Sequence, residues 1–213
     1  LFLHGIPGTG KNQLVKVLAQ ELGCELFEVS SQDGDGDSID GNKRLRSFRA
    51  AQSFLGQRRA MILFDEVEDV FNDGGFFAGR RSTAQNCKAW INRMLEDNPV
   101  PTLWLSNTLN GLDRAFIRRF DTVIHLPIPP KKQRIKILQE SCGDLLDAPT
   151  LARIAEADHL APALITKTAG LVRTIRDELG EAGSISAIET LLNTTLEAQG
   201  HRPILKNDPN RLP

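Results

Sequence analysis

Short apolar runs alternate with longer stretches of helical period through the first two thirds of the chain. The runs cover residues 1–4, 25–29, 60–64, 102–106 and 122–126. Each is too short for a helix and is bounded by turn-forming or charged residues, so each predicts a strand. Between them, Leu14, Leu18 and Leu22 share a helical face with Val15 and Ala19. Leu45, Phe48 and Leu55 form a second stripe, and a third helix is expected from about Ser82 to Glu96, with Ala89, Ile91 and Leu95 apolar. Strands that alternate with crossover helices predict an α/β fold, a parallel sheet covered on both faces.

The pattern changes at Pro127-Ile128-Pro129-Pro130, where fixed φ angles and missing donors predict a stiff connector. Beyond it only helical periods remain, over residues 131–141, 149–157, 163–179 and 184–199. The expected organisation is an α/β domain over 1–129, a helical domain over 130–200 and a polar linker or tail over 201–213.

Gly5-Ile6-Pro7-Gly8-Thr9-Gly10-Lys11 follows the first strand and opens the first helix. Glycines in that position let backbone N–H groups turn inward around phosphate oxygens. The helix N-terminus adds positive dipole, and Lys11 adds a point charge for the β and γ phosphates. A glycine-rich turn that merely carries a lysine is the bland alternative; the flanking strand and helix argue against it. The candidate phosphate-binding residues are Gly5, Pro7, Gly8, Thr9, Gly10, Lys11, Asn12 and Gln13. The motif asks for Ser or Thr after the lysine, whose hydroxyl coordinates Mg²⁺; here Asn12 stands there. Its carbonyl oxygen is a hard ligand one bond further from Cβ, and magnesium wants near-octahedral oxygens at about 2.0–2.1 Å. Misplacing that ligand is expected to slow turnover by about 10²–10³-fold, by analogy with losing one preorganised charge-stabilising group, and to affect binding less.

Met61-Ile62-Leu63-Phe64-Asp65-Glu66 is a buried-strand pattern that ends in two carboxylates. Ligands of open α/β sheets bind at the carboxyl ends of strands, which would point both acids at the phosphate loop. Asp65 is the candidate Mg²⁺ ligand together with Asn12; Glu66 is the candidate that orients and polarises an attacking water. A strand that ends in solvated acids is the alternative. Thr102-Leu103-Trp104-Leu105-Ser106-Asn107 is a second apolar strand, with an amide able to hydrogen-bond both a γ-phosphate and a water. Arg118-Arg119-Phe120-Asp121 precedes the last strand; alone, two adjacent arginines read as a solvated pair.

Taken together, these segments resemble the AAA+ ATPases in order and approximate spacing, over almost the whole chain. The stretch 111–121, with Leu112-Asp113 leading to Arg118-Arg119-Phe120-Asp121, looks like that family's arginine-finger segment. Residues 127–138, with Arg134, look like its passage into the helical lid. The resemblance implies a P-loop NTPase sheet of five parallel strands in the order 5-1-4-3-2, flanked by helices, with a C-terminal helical lid. It implies ATP as ligand with Mg²⁺, and hydrolysis to ADP and phosphate that drives remodelling of a macromolecular client, expected to be a protein. Asn107 would be the sensor residue. Arg118 and Arg119 would act on ATP held by a neighbouring subunit, which implies a homo-oligomeric ring, expected to be hexameric. Such an arginine can be worth about 10³–10⁵ in rate.

Besides Asn12, three features differ from or blur the family pattern. Ala161-Pro162-Ala163 stands where many branches carry a lid arginine, and Arg173 lies turns later, expected on the surface. Ser38-Ile39-Asp40-Gly41 lacks the aromatic that threading members place before a glycine. Gly74-Gly75-Phe76-Phe77-Ala78-Gly79 either presents two phenylalanines to a substrate or packs them locally. Asp33-Gly34-Asp35-Gly36-Asp37 is superficially like a calcium loop, but Ser38 and Arg44 stand where Gly and Glu are required, so a solvated acidic loop is favoured. Lys43, Arg44, Arg46 and Arg49, with Arg58 and Arg59, are either a nucleic-acid contact or a solvated face, and the second is favoured.

Composition narrows the rest. A net charge of −1 gives no global pull toward nucleic acid or acidic membranes, so neither is indicated as a partner. No apolar run is long enough to span a bilayer, so no membrane segment is expected. Cys24, Cys87 and Cys142 fit neither a disulfide framework nor a zinc site, and reduced thiols in the cytoplasm are the expectation. His4, His125, His159 and His201 have no metal-ligand spacing. Two functions compete with active remodelling: an assembly module that binds ATP and hydrolyses it slowly because of Asn12, and a small-molecule kinase, which leaves the arginine pair and helical lid unexplained.

Overall fold

A computed structural model of the chain describes residues 1–71 and 88–204. The Gly74-to-Gly79 loop, Cys87, the start of the helix expected from Ser82 and the tail beyond residue 204 lie outside the described residues. Five strands, β1 (Phe2–His4), β2 (Glu25–Glu28), β3 (Ala60–Phe64), β4 (Thr102–Ser106) and β5 (Val123–His125), form one parallel sheet in the order β2-β3-β4-β1-β5. That is the order the family resemblance implies. Every residue of β3 and β4 is buried, as continuous apolar runs in a doubly covered sheet require. At the edge, all of β5 is exposed.

The pleat sorts the core into two faces. Phe2, Ile62, Phe64 and Trp104 point to one side. There they meet Leu45, Phe48 and Leu55 of α2 (Gly41–Leu55), Phe71 of α3 (Glu68–Phe71), Ile91 and Met94 of α4 (Lys88–Glu96) and Phe116 of α5 (Arg114–Ile117). Leu3, Met61, Leu63, Leu103 and Leu105 point to the other, against Val15 and Ala19 of α1 (Lys11–Glu21). The stripe expected on α2 is the buried one. On α1 the expectation is corrected: Lys11, Val15 and Ala19 are buried, whereas Leu14 and Leu22 are 44% and 46% exposed. Lys11 must reach the phosphate loop, which turns its own ridge inward, and the small Ala19 lets the helix lie close to the sheet.

Two compact units emerge. The first contains Leu1–Ile6 and Gly10–Leu126; the second gathers Pro7–Thr9 with the chain from Pro127 onward. The second is helical: α6 (Lys131–Cys142), α7 (Ala148–Ile154), α8 (Pro162–Thr174) and α9 (Arg176–Ala198). Its own core includes Leu138, Ile154, Ile165, Val172, Ile188 and Leu192. α8 ends sooner than its apolar period suggests, and the turn after it joins α9. α9 breaks at Gly180, whose φ of 66° only glycine adopts without strain. Buried Arg134 donates to the carbonyls of Pro129 and Ala155 and to Asp158, tying the proline connector to its own helices. Arg173 is exposed and bound to Asp144, whose carboxyl it holds below the usual range. Among the described residues no helix is long and apolar enough to cross a membrane.

Candidate functional site

The loop after β1 is shaped by two glycines. A Cβ on Gly5 would lie 2.1 Å from the Leu126 carbonyl oxygen, so no side chain fits there. Gly10 caps α1 with φ 95° and no side-chain hydrogen bond, leaving the first-turn amides of the helix for a ligand. Lys11 is buried at 7% exposure, and its ammonium donates to the Gly5 carbonyl (2.8 Å), the Ile6 carbonyl (3.1 Å) and Asn107 Oδ1 (3.0 Å). Desolvation lowers its pKa, and the Asp65 and Glu68 carboxylates oppose that shift. Thr9, two residues earlier, is buried; Gln13 is exposed.

Asp65 follows β3 directly. Its Oδ1 accepts from the Glu66 amide and its Oδ2 from Asn12 Nδ2 at 2.7 Å. The amide nitrogen of Asn12, rather than its carbonyl, therefore faces the acid. Lys11, Asn12, Asp65 and Asn107 meet at the carboxyl ends of β1, β3 and β4, where an open α/β sheet binds its ligand. Glu66 is exposed at the next position. Among the described residues it is the one non-glycine with positive φ, 52°, a conformation that costs about 1–3 kcal/mol and persists where surroundings impose it. The donor set fits magnesium in kind: Asp65 and the Asn12 carbonyl are both hard oxygens.

Two residues of this site were not anticipated from the sequence. Arg44, expected on a solvated basic face, is 1% exposed. Its guanidinium donates to the carbonyls of Asp65 (2.5 Å) and Glu66 (3.2 Å) and to Asp69 (2.8 Å), and lies 4.5 Å from the centre of the Phe64 ring. The signal was periodicity. Gly41, Arg44, Phe48, Gln52 and Leu55 are spaced by three and four along α2 and form its buried ridge. Glu68 accepts from the Ser106 hydroxyl (2.8 Å) and from the Asn107 amide, joining α3 to the end of β4. No spacing pattern marks it, since its partners lie about forty residues away on another element.

The arginine pair lies outside this cluster. Arg119 forms an ion pair with Glu96 and lines a cavity of about 680 Å³ with Leu1, Met61, Pro101 and Phe120. The cavity opens at the amino-terminal ends of the strands, away from the phosphate loop. Arg118 is exposed and makes no ion pair with any described residue. In the acidic loop, Asp33 accepts from the amides of Asp35 and Asp37, and no cluster of metal-ligating residues forms among the described residues.

A glycine-shaped phosphate loop before an amphipathic helix, set beside an acid-terminated strand in a 2-3-4-1-5 sheet, defines a P-loop nucleotide-binding module. Residues 1–128 match the profile of the ATPase family associated with various cellular activities (AAA), and the chain belongs to that family of ATP-binding ATPases. Among its relatives, the Arabidopsis thaliana protein SUPPRESSOR OF K(+) TRANSPORT GROWTH DEFECT 1 is 30% identical over 67% of this chain and 33% of its own length. Human ATPase family gene 2 protein homolog B is 30% identical over 65% of this chain and 19% of its own. Vacuolar protein sorting-associated protein 4 of Dictyostelium discoideum is 28% identical over 78% and 37%. The chain thus spans about a third or less of the first two relatives.

Proposed function

We propose that this chain hydrolyses ATP to ADP and phosphate as one subunit of a hexameric ring, and that the ring uses this to remodel a protein client. The convergence of Lys11, Asn12, Asp65 and Asn107 at the strand ends carries the reading. The loop amides and Lys11 hold the phosphates. Asp65 and the Asn12 carbonyl would hold Mg²⁺, which would supply neutralisation of the phosphate charge. Glu66 orients and polarises the attacking water, and Asn107 hydrogen-bonds that water and the γ-phosphate. Arg118 reaches the ATP of a neighbouring subunit, since Arg119 is engaged by Glu96. Residues 1–129 act as the nucleotide-binding domain, 130–200 as the helical lid and 201–213 as a linker.

One observation favours a slower enzyme. A Ser or Thr hydroxyl can serve an acid and a cation through one oxygen. Asn12 divides these tasks between two atoms, and its nitrogen is taken by Asp65. The second reading is therefore an assembly module that binds ATP and turns it over slowly. Magnesium-dependent phosphate release from wild type, Glu66→Gln and Asn12→Thr tests both. Glu66→Gln is expected to lose about 10²–10³-fold; equal release from it and wild type removes Glu66 from the mechanism. Asn12→Thr is expected to raise the rate with little change in ATP affinity. An unchanged rate sinks the slow-enzyme reading.

A further inference from the structure

We propose that Arg44 is a positioning residue for the hydrolytic carboxylate: it clamps the turn after β3 and thereby sets the direction in which Glu66 leaves the backbone. The inference rests on the reading of Glu66 given above and extends it to a residue on a different element.

The turn presents an unusual problem. Glu66 adopts φ 52° without being glycine, so the local chain does not choose this conformation and something around it must impose it. Arg44 is the group in place to do so. Its two terminal nitrogens hold two successive carbonyls, Asp65 and Glu66, from one rigid plane. The Asp65 carbonyl belongs to the peptide unit before the Glu66 Cα and the Glu66 carbonyl to the unit after it, so holding both oxygens fixes the relation of the two planes, which φ and ψ of Glu66 set. The plane is itself fixed. Phe64 lies against it, Asp69 supplies the counter-charge, and burial at 1% exposure leaves no water to compete. A charge so buried stays folded inward only while paired, which makes the clamp persistent. Glu66 itself stays exposed, so the guanidinium touches only its main chain.

Lysine keeps the charge but offers a point ammonium in place of a planar fork, so it can hold one carbonyl firmly and not both in a fixed relation. Arg44→Lys is therefore the informative variant. The measurements are the ATP dissociation constant by calorimetry, kcat and KM for phosphate release, and circular dichroism to establish folding. Each is made on wild type, Arg44→Lys, Asp69→Asn and Glu66→Gln, and all four are repeated with Asn12→Thr if the wild-type rate is near background. Arg44→Lys is expected to keep ATP affinity within about threefold while kcat falls about 10–100-fold, the scale of a misplaced catalytic group. Asp69→Asn, whose side chain is half exposed, tests the same clamp if Arg44→Lys does not fold; it is expected to lower kcat by about 3–10-fold at unchanged affinity. Added to Glu66→Gln, either change is expected to cost less than about twofold, because both act on one group. Retained kcat in a folded Arg44→Lys, or in Asp69→Asn where that variant stands in, overturns the proposal. So does a loss of kcat that only follows a loss of affinity, or one that adds fully to Glu66→Gln. If wild type and Glu66→Gln release phosphate equally, the reading of Glu66 fails and takes this one with it.

Discussion

The two faces of the sheet are built from different material. On one, Phe64 stacks on Trp104 at 4.6 Å, Phe48 meets the same indole edge-on at 4.8 Å, and Phe71, Phe116 and Phe120 continue the ring contacts. The other is aliphatic, with leucines and Met61 under Val15 and Ala19 of a single described helix. Function divides along the same line. The aromatic side carries Arg44 on α2 and Glu68 on α3, which hold the carboxyl ends of β3 and β4, while the arginine pair at the end of α5 lies away from the phosphate loop. Among the described residues, the aliphatic side carries the helix that begins at Lys11. Rings constrain orientation as well as separation, and the face that must aim side chains is the one built from them.

Three substitutions would break or sharpen that contrast. Trp104→Ala is expected to cost about 3–5 kcal/mol in urea unfolding and, where the protein is still folded, to impair hydrolysis more than ATP binding. Loss of binding alone would show that the aromatic face aims nothing. Val15→Ala is expected to cost about 1–3 kcal/mol and to weaken ATP binding, with turnover of bound ATP kept. Leu14→Ser, one position away on the exposed side, should stay within about 0.5 kcal/mol; a larger loss would mean that the helix face is misassigned.

The smallest effect is a pH slope. Burial, then His125 and Lys11, lower the pKa of His4, which sits at the polar end of the aromatic face. Below about pH 6.5 the unfolded chain takes up a proton that the folded chain resists, so stability falls as the solution is acidified through that value. His4→Gln should flatten the dependence of Tm on pH below about 6.5 and leave Tm at pH 8 unchanged. An equal slope in both proteins would remove His4 as its source.

The sheet was largely legible because β3 and β4 are continuous apolar runs, which few other settings tolerate. That the glycine-rich loop and the acid after β3 lie close together was legible because each is a run of residues adjacent in sequence at the end of a strand. What was missed is of another kind. Arg44 was read by its charge, although its spacing from Phe48 and Gln52 placed it in the buried ridge; a cation paired from three sides can sit where an apolar residue would. α1 was misread because leucine and small-residue stripes lie side by side, and hydrophobicity alone favours the larger. The separate settings of Arg118 and Arg119 depend on Glu96, which is distant in sequence.

The chain has two tryptophans and no tyrosine. Trp90 is 41% exposed, whereas Trp104 is dry and stacked on the ring that precedes Asp65 in the chain. Replacing Trp90 with Phe therefore leaves one indole emitter in these 213 residues, seated against the strand that ends at the acids. Its emission wavelength and lifetime become a label-free optical readout of that strand, native to the molecule and usable in stopped flow.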